Sequence, residues 1–439
     1  MKYMNAAMGL KIEDKITRMT GNTLASIWTF INNPNFKIGN TTHEKRKEKL
    51  LDYIQTVIKP AGSEVTIDSG GYSVLTGVVP FDQIRGLEAY YLHILEEERN
   101  SYDNIFSLDI AWGMNDIRLQ EEEIVDALSF RTAQKTFDVL DRHRKIKDKF
   151  YYVYHFKTFG QYRIWQNHYK HFEIGERITH RAIGGLVGLK RKAPWANFTP
   201  FTAMLYKCFW DFVSRQENEP ELKIHILGIY IPHERFVIAL VEKIFKLYFK
   251  KFGWDTTLQV TYDTTSFVKT ELKNYNSLHF WTIDNNGKPV RRNYHKISES
   301  VLKRAYGDDL GYIQAEIEKL KQGARKSDTS DFVPLSIYTQ MELDDYLMHL
   351  VDKQHVIVKL DFIEPLRTSL SNRGSSISIQ AIVKELRSSY KDIFNNKLAT
   401  DLLQIRSLSY WLFESQVEAE LEDMIEQAID RIDYPYYLV

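Results

Sequence analysis

Residues 64–75 of this 439-residue chain, EVTIDSGGYSVL, read as a short strand that runs into a glycine-rich turn. The same texture recurs along the chain. Residues 104–112 (NIFSLDIAW), 150–156 (FYYVYHF), 181–187 (RAIGGLV), 224–230, 258–262 and 278–282 read as further strands, seven in all. Between them 81–98, 121–147, 164–172, 199–216 and 234–252 read as helix. Within 121–147, Ile124, Val125, Leu128, Phe137, Val139 and Leu140 keep an approximate helical spacing. Strands that alternate with helices imply βαβ units and a parallel sheet. The polar turns fall at the C-terminal strand ends, where a barrel places its active site. A complete barrel needs an eighth strand, which no segment declares.

Upstream, the first 60 residues read mostly as helix. Residues 24–31 are apolar and aromatic, and 43–58 carry Leu50, Leu51, Ile54, Val57 and Ile58 behind a charged lead. Downstream of about residue 285 the pattern changes. Residues 284–287 (DNNG) read as a turn, 298–322 as a long charged helix and 323–331 as a polar linker. The remainder is chiefly amphipathic helix, especially 416–432, with one strand-like stretch at 356–360. We therefore expect a barrel domain with N-terminal helices over 1–290 and a mainly helical region over 291–439, a candidate for nucleic-acid binding.

Composition narrows the class without naming a chemistry. The chain is 44% apolar and 26% charged, which rules out wholesale disorder. No apolar run reaches the roughly 18 residues of a membrane helix, and no signal-peptide core opens the sequence, so a cytoplasmic protein is expected. One cysteine, Cys208, excludes an intrachain disulfide and any multi-cysteine zinc site. With 58 Lys+Arg against 58 Asp+Glu, net charge points to no nucleic-acid partner, yet it permits a local basic face.

The chemistry lies at the strand ends. Gly70 and Gly71 permit a tight backbone close to a ligand, Asp68 sits where the chain leaves its strand, and Tyr72 offers a face for stacking. Taken alone, that segment is more simply explained as a plain βα turn with a capping aspartate. Asp109 ends the buried run Phe106-Ser107-Leu108, Gly184-Gly185 follow Ala182-Ile183, and Asp263 ends Gln259-Val260-Thr261-Tyr262 ahead of Thr264, Thr265 and Ser266. Each acid singly would serve as the N-cap of the next helix. Three acids and two glycine pairs at the same end of successive strands would converge on one barrel mouth.

Asp68-Ser69-Gly70-Gly71-Tyr72, Ile183-Gly184-Gly185-Leu186, Ile226-Leu227-Gly228 and the Asp263 strand end, in this order and rough spacing, resemble the tRNA-guanine transglycosylase superfamily over about residues 60–285. The resemblance implies an irregular (βα)8 TIM-type barrel that exchanges guanine in a nucleic acid for a 7-deazaguanine. It implies that Asp263 attacks C1′ to give a covalent glycosyl-enzyme, and that Asp68 is the acid/base at the base nitrogen. Asp109 matches the carboxylate that recognises the guanine-type edge. The Gly184 and Gly185 backbone would bind the exocyclic carbonyl, Tyr72 would stack on the base, and Leu227, beside Gly228, would form the lower wall. A carboxylate nucleophile suits displacement at an anomeric carbon through oxocarbenium-like charge, as in retaining glycosidases. One carboxylate of tuned pKa can protonate the leaving base and deprotonate the incoming one. The target nucleotide must be extruded or single-stranded, because a stacked duplex shields it.

Two departures mark this chain. The family's tRNA enzymes usually carry a zinc site of three cysteines and a histidine, which a single cysteine forbids, so no zinc is expected. A Gln-Gly pair that reads the base is replaced by Tyr154-His155-Phe156, which leaves His155 as the positional substitute. With the helical C-terminal extension, these departures look more like the DNA 7-deazaguanine transglycosylases of the DpdA group, found in genomic islands and phages. The implied partners are DNA, with tRNA as the alternative, and a free base such as 7-cyano-7-deazaguanine. The resemblance leaves room for a helper ATPase. Lys190-Arg191-Lys192 with Trp195, and Arg291-Arg292 with Tyr294, His295 and Lys296, would neutralise phosphates at the rim or stack on an extruded base; a solvated face is the plainer alternative. Lys45-Arg46-Lys47, between Glu44 and Glu48, reads as helix surface. Competing readings are a zinc-less tRNA enzyme, an inactive barrel that binds nucleic acid or a partner, and a hydrolase that releases the deazaguanine. Three converging carboxylates repel one another and cost desolvation, which argues against a mere binding module.

Overall fold

A computed structural model describes residues 1–6, 13–27, 43–71, 91–95, 100–109, 122–156, 159–185, 220–229, 253–264, 279–283, 289–293, 298–322 and 330–352, with scattered positions between 205 and 249. Eight strands close a barrel in sequence order: β1 (Lys2–Ala6), β2 (Asn22–Ser26), β3 (Glu64–Asp68), β4 (Asn104–Phe106), β5 (Phe150–His155), β6 (His180–Gly184), β7 (Glu221–Ile226) and β8 (Thr257–Asp263). All neighbours are parallel, and β1 pairs with β8 to close the ring, Tyr3 opposite Tyr262. The helices α1 (Glu13–Thr20), α2 (His43–Tyr53), α3 (Glu122–Arg142) and α4 (Phe159–His171) fall between strands. This is the α/β TIM-type barrel expected from the alternation.

Strand β5 shows why these segments fold so. All six of its residues are buried, as a parallel strand covered on both faces requires. Side chains alternate across it. Tyr151 and Val153 join Met4, Leu24, Phe106 and Ala182 in the cluster that fills the barrel interior, with Leu227 against it. Tyr152 and Tyr154 turn outward and pack on Trp165 and Tyr169 of α4. The next inward position, at the C-terminal end, is His155. That alternation carries one inward side chain from each of several strands to the barrel mouth.

Two expectations change. The first 60 residues contain α1 and α2, but they also supply β1 and β2, the two barrel strands that the sequence did not declare. Their sequences, KYMNA and NTLAS, are five residues each and hold no continuous apolar run, so strand conformation there is set by pairing: Asn22 to Ser26 register against Glu64 to Asp68. In turn, 278–282 is not a barrel strand. It forms β9 (His279–Ile283), which pairs antiparallel with β10 (Pro289–Asn293) in a separate two-stranded sheet. With β1 already on β8, the barrel has no edge left for it.

The helices α5 (Glu299–Tyr306), α6 (Leu310–Lys321) and α7 (Val333–Asp352) follow. Val301, Leu302, Ala305, Tyr306, Ile313, Ile317, Leu320, Phe332 and Leu335 form their common core. The expected boundary near 290 falls within β10, and α7 packs back on β9 and α1. A buried polar cluster ties α7 to the barrel: Arg235 donates to Asp344 Oδ1 at 2.8 Å and to Gln340 Oε1 at 2.6 Å, and the Tyr262 hydroxyl donates to Asp344. The expected helix 416–432 and strand 356–360 lie outside the described residues, as does the linker at 323–329.

Candidate active site at the barrel mouth

Strand β3 ends on Asp68, and the turn after it is braced internally. The Gly70 N–H donates to Asp68 Oδ2 at 3.2 Å, and Gly70 takes φ of +81°, open to glycine at little cost. The Gly71 N–H donates to Ser69 Oγ at 3.1 Å, and the Ser69 hydroxyl donates onward to Asp109 Oδ1. A side chain at Gly71 would strike the backbone oxygen of Asp109 and stand 2.9 Å from its Oδ2. The bare backbone that the sequence suggests for a ligand thus first admits Asp109 itself.

Asp109 is buried three residues beyond β4, and its second oxygen, Oδ2, bonds His155 Nε2 from the end of β5. A carboxylate that accepts at Nε2 fixes the proton there and leaves Nδ1 as an acceptor. His155 Nδ1 is buried and has no hydrogen-bond partner among the described residues. Its ring rests on Gly184, the residue opposite it in register on β6: a Cβ at Gly184 would lie 2.5 Å from both Nδ1 and Cε1 and 3.2 Å from Leu227 Cδ1. Gly185 closes against the Phe156 backbone in the same way. Glycine at 184 is what lets His155 and Leu227 meet there.

Asp263, the last residue of β8, is buried and clamped on one oxygen. Oδ1 accepts from the Gly228 N–H at 2.9 Å and from His225 Nε2 at 3.1 Å. Oδ2 makes no hydrogen bond among the described residues. His225 is fully buried on β7, its Nδ1 lies 2.9 Å from Thr261 Oγ1, and its ring packs on Phe106. Sequence reasoning missed His225. The available signal was a lone histidine between Ile224 and Ile226, which places it on the strand face opposite both isoleucines.

Asp68 is the group whose titration the site alters most clearly. Burial, then the charge of Asp109, raises its carboxyl to about 7; Asp263 adds to the rise, while the Ser26 hydroxyl and the Gly70 N–H oppose it. Ser26 was also missed. It ends β2 directly opposite Asp68 in register, on a strand the sequence did not reveal.

Asp68, Ser69, Gly70, Gly71, Asp109, His155, Gly184, Gly185, Leu227, Gly228 and Asp263 therefore lie at the C-terminal ends of β3 to β8, on one mouth. Tyr72, Lys190, Arg191, Lys192 and Trp195 lie outside the described residues. Arg291 and Arg292 sit on β10 opposite Trp281 and Phe280, in the separate two-stranded hairpin. Among the described residues no group of His, Cys, Asp and Glu has the arrangement of a metal site. No helix among them is long and apolar enough to cross a membrane.

Fold and site together define a TIM-type barrel with an acid cluster at the C-terminal end of its strands. No protein-family model matches the chain, and none of the curated proteins does.

Proposed function

We propose that this chain is a base-exchange glycosyltransferase of the tRNA-guanine transglycosylase type. It replaces guanine in DNA by a 7-deazaguanine, in the cytoplasm, through a covalent aspartyl-glycosyl intermediate. The observation that carries the reading is the division of labour between two carboxylates at one mouth: Asp68 held near neutrality, and Asp263 fixed by two donors on a single oxygen. Pairs of acids whose environments separate their roles are what displacement at an anomeric carbon uses.

The steps follow from those atoms. Asp263 Oδ2 attacks C1′ as the bond from C1′ to the base nitrogen breaks. The electron pair of that bond leaves with guanine, which takes the proton of Asp68. Asp68, now ionised, accepts a proton from the incoming base, whose nitrogen attacks C1′ and returns the ester pair to Asp263. Asp109 accepts from Ser69 and His155 and still has lone pairs for the N–H groups of a guanine-type edge. His155 Nδ1, without a hydrogen-bond partner among the described residues, adds a further acceptor beside it.

The deciding assay is incorporation of labelled guanine, or of 7-cyano-7-deazaguanine, into duplex DNA, with a tRNA transcript in parallel. Exchange into DNA is the expected result. Label in tRNA alone would replace the DNA reading with the zinc-less tRNA enzyme. Release of base without incorporation would favour the hydrolase.

A further inference from the structure

We propose that His225 is a positioning residue for the second half of the exchange: with the Gly228 N–H it makes Asp263 a better leaving group and keeps the covalent intermediate short-lived. The inference rests on the base-exchange reading and deepens it. Nothing in the sequence motifs assigns His225 a part.

The tautomer is determined by the neighbours. Asp263 Oδ1 accepts only, so His225 Nε2 carries the proton. Nδ1 is then the acceptor, and the Thr261 hydroxyl donates to it. Thr261 and Asp263 stand two apart on β8 and share a face, and Thr261 is the register partner of His225. Thr261, His225 and Asp263 thus form a short buried relay of fixed direction, with Phe106 packed on the His225 ring.

Both donors meet Oδ1, so they act differently on the two states of Asp263. In the free enzyme Oδ1 shares a full negative charge, and a hydrogen bond to it is charge-assisted. In the glycosyl ester Oδ1 is a neutral carbonyl, and the same bond is roughly half as strong. The clamp therefore favours carboxylate over ester. It opposes formation of the C1′–Oδ2 bond slightly and assists its cleavage, when the electron pair returns to the carboxylate. Removing one donor should raise the steady-state fraction of ester by about tenfold, the difference between a charged and a neutral hydrogen bond.

The test is the covalent protein–nucleic acid adduct on a denaturing gel, during turnover with DNA and guanine, for wild type, His225→Phe and Thr261→Val. His225→Phe keeps a ring against Phe106 and removes both nitrogens. It should show about tenfold more adduct per active enzyme with slower exchange. Thr261→Val frees Nδ1 and should shift the adduct in the same direction by less. A melt confirms folding of each variant, and if His225→Phe does not fold, Thr261→Val decides. Adduct fractions equal to wild type in a folded variant overturn the inference while leaving base exchange intact, as does a ¹⁵N spectrum of the wild type with the His225 proton on Nδ1. If wild type yields neither adduct nor exchange on DNA or tRNA, base exchange itself is wrong and this inference falls with it.

Discussion

Asp68 joins its proposed acid/base role to a stability consequence. A carboxyl raised to about 7 is about half protonated at neutral pH and can give a proton to a departing base. Adduct formation in the absence of added base, which needs only that protonated form, should slow about fivefold between pH 7 and pH 8; a flat single-turnover profile would remove Asp68 from the role. The native state holds this proton between pH 4 and 7 while the unfolded chain does not. Stability therefore falls as pH rises through that window and levels off above it. Asp68→Asn should then melt higher than wild type at pH 8, by about 1–3 kcal/mol once the solvent-facing part of the group is allowed for, and show no gain at pH 4. At the proposed nucleophile, Asp263→Asn should abolish exchange and retain binding of free guanine, whereas Asp109→Ala should chiefly weaken that binding. Calorimetry with the free base separates the two. Gly184→Ala is the sharpest test of His155: the added methyl meets the imidazole at 2.5 Å. Base affinity should fall about ten- to a hundredfold, as for loss of one or two hydrogen bonds to buried groups; unchanged affinity would mean that the ring can move aside without consequence.

At the scale of elements, the parallel ladder delivers the site. β3 to β8 each end on a residue or turn that the mouth uses, because parallel strands all bring their C-terminal ends to one side. The outward face of the same ladder does a different job. Tyr262 precedes Asp263 and points away from it, into the buried group formed by Arg235, Asp344 and Gln340. α7 is therefore fastened to the strand that ends on Asp263. Taking one partner from a buried ion pair leaves the other charge without compensation, at a cost of about 3–5 kcal/mol. Asp344→Ala should lower stability by that amount in denaturant titration and reduce exchange with it, because β8 loses its outer support. A change below 1 kcal/mol would show that α7 is incidental to the barrel.

For the whole molecule, closure depends on the first 26 residues. β1 bonds β8 on one side and β2 on the other, and no other described element covers those edges. A chain that begins at residue 43 would expose β3 and β8 as open edges and should aggregate, read as loss of soluble monomer on a sizing column. What the amino-acid sequence determined by itself was the alternation of helix with buried strands from β3 to β8, the acids and glycines that end them, and the exclusion of a three-cysteine metal site. Those strands are apolar enough to read alone, as β5 is along all six residues, and their chemistry lies within a few residues of the strand. Tertiary structure alone decided the rest. KYMNA and NTLAS become strands only because β8 and β3 offer them partners, while His279–Ile283, with the look of a barrel strand, finds the ring already closed and pairs with β10. The bond between His225 and Asp263 and the register of Ser26 against Asp68 belong to the same class. Each joins residues about 40 positions apart, through a register that only neighbouring strands can set.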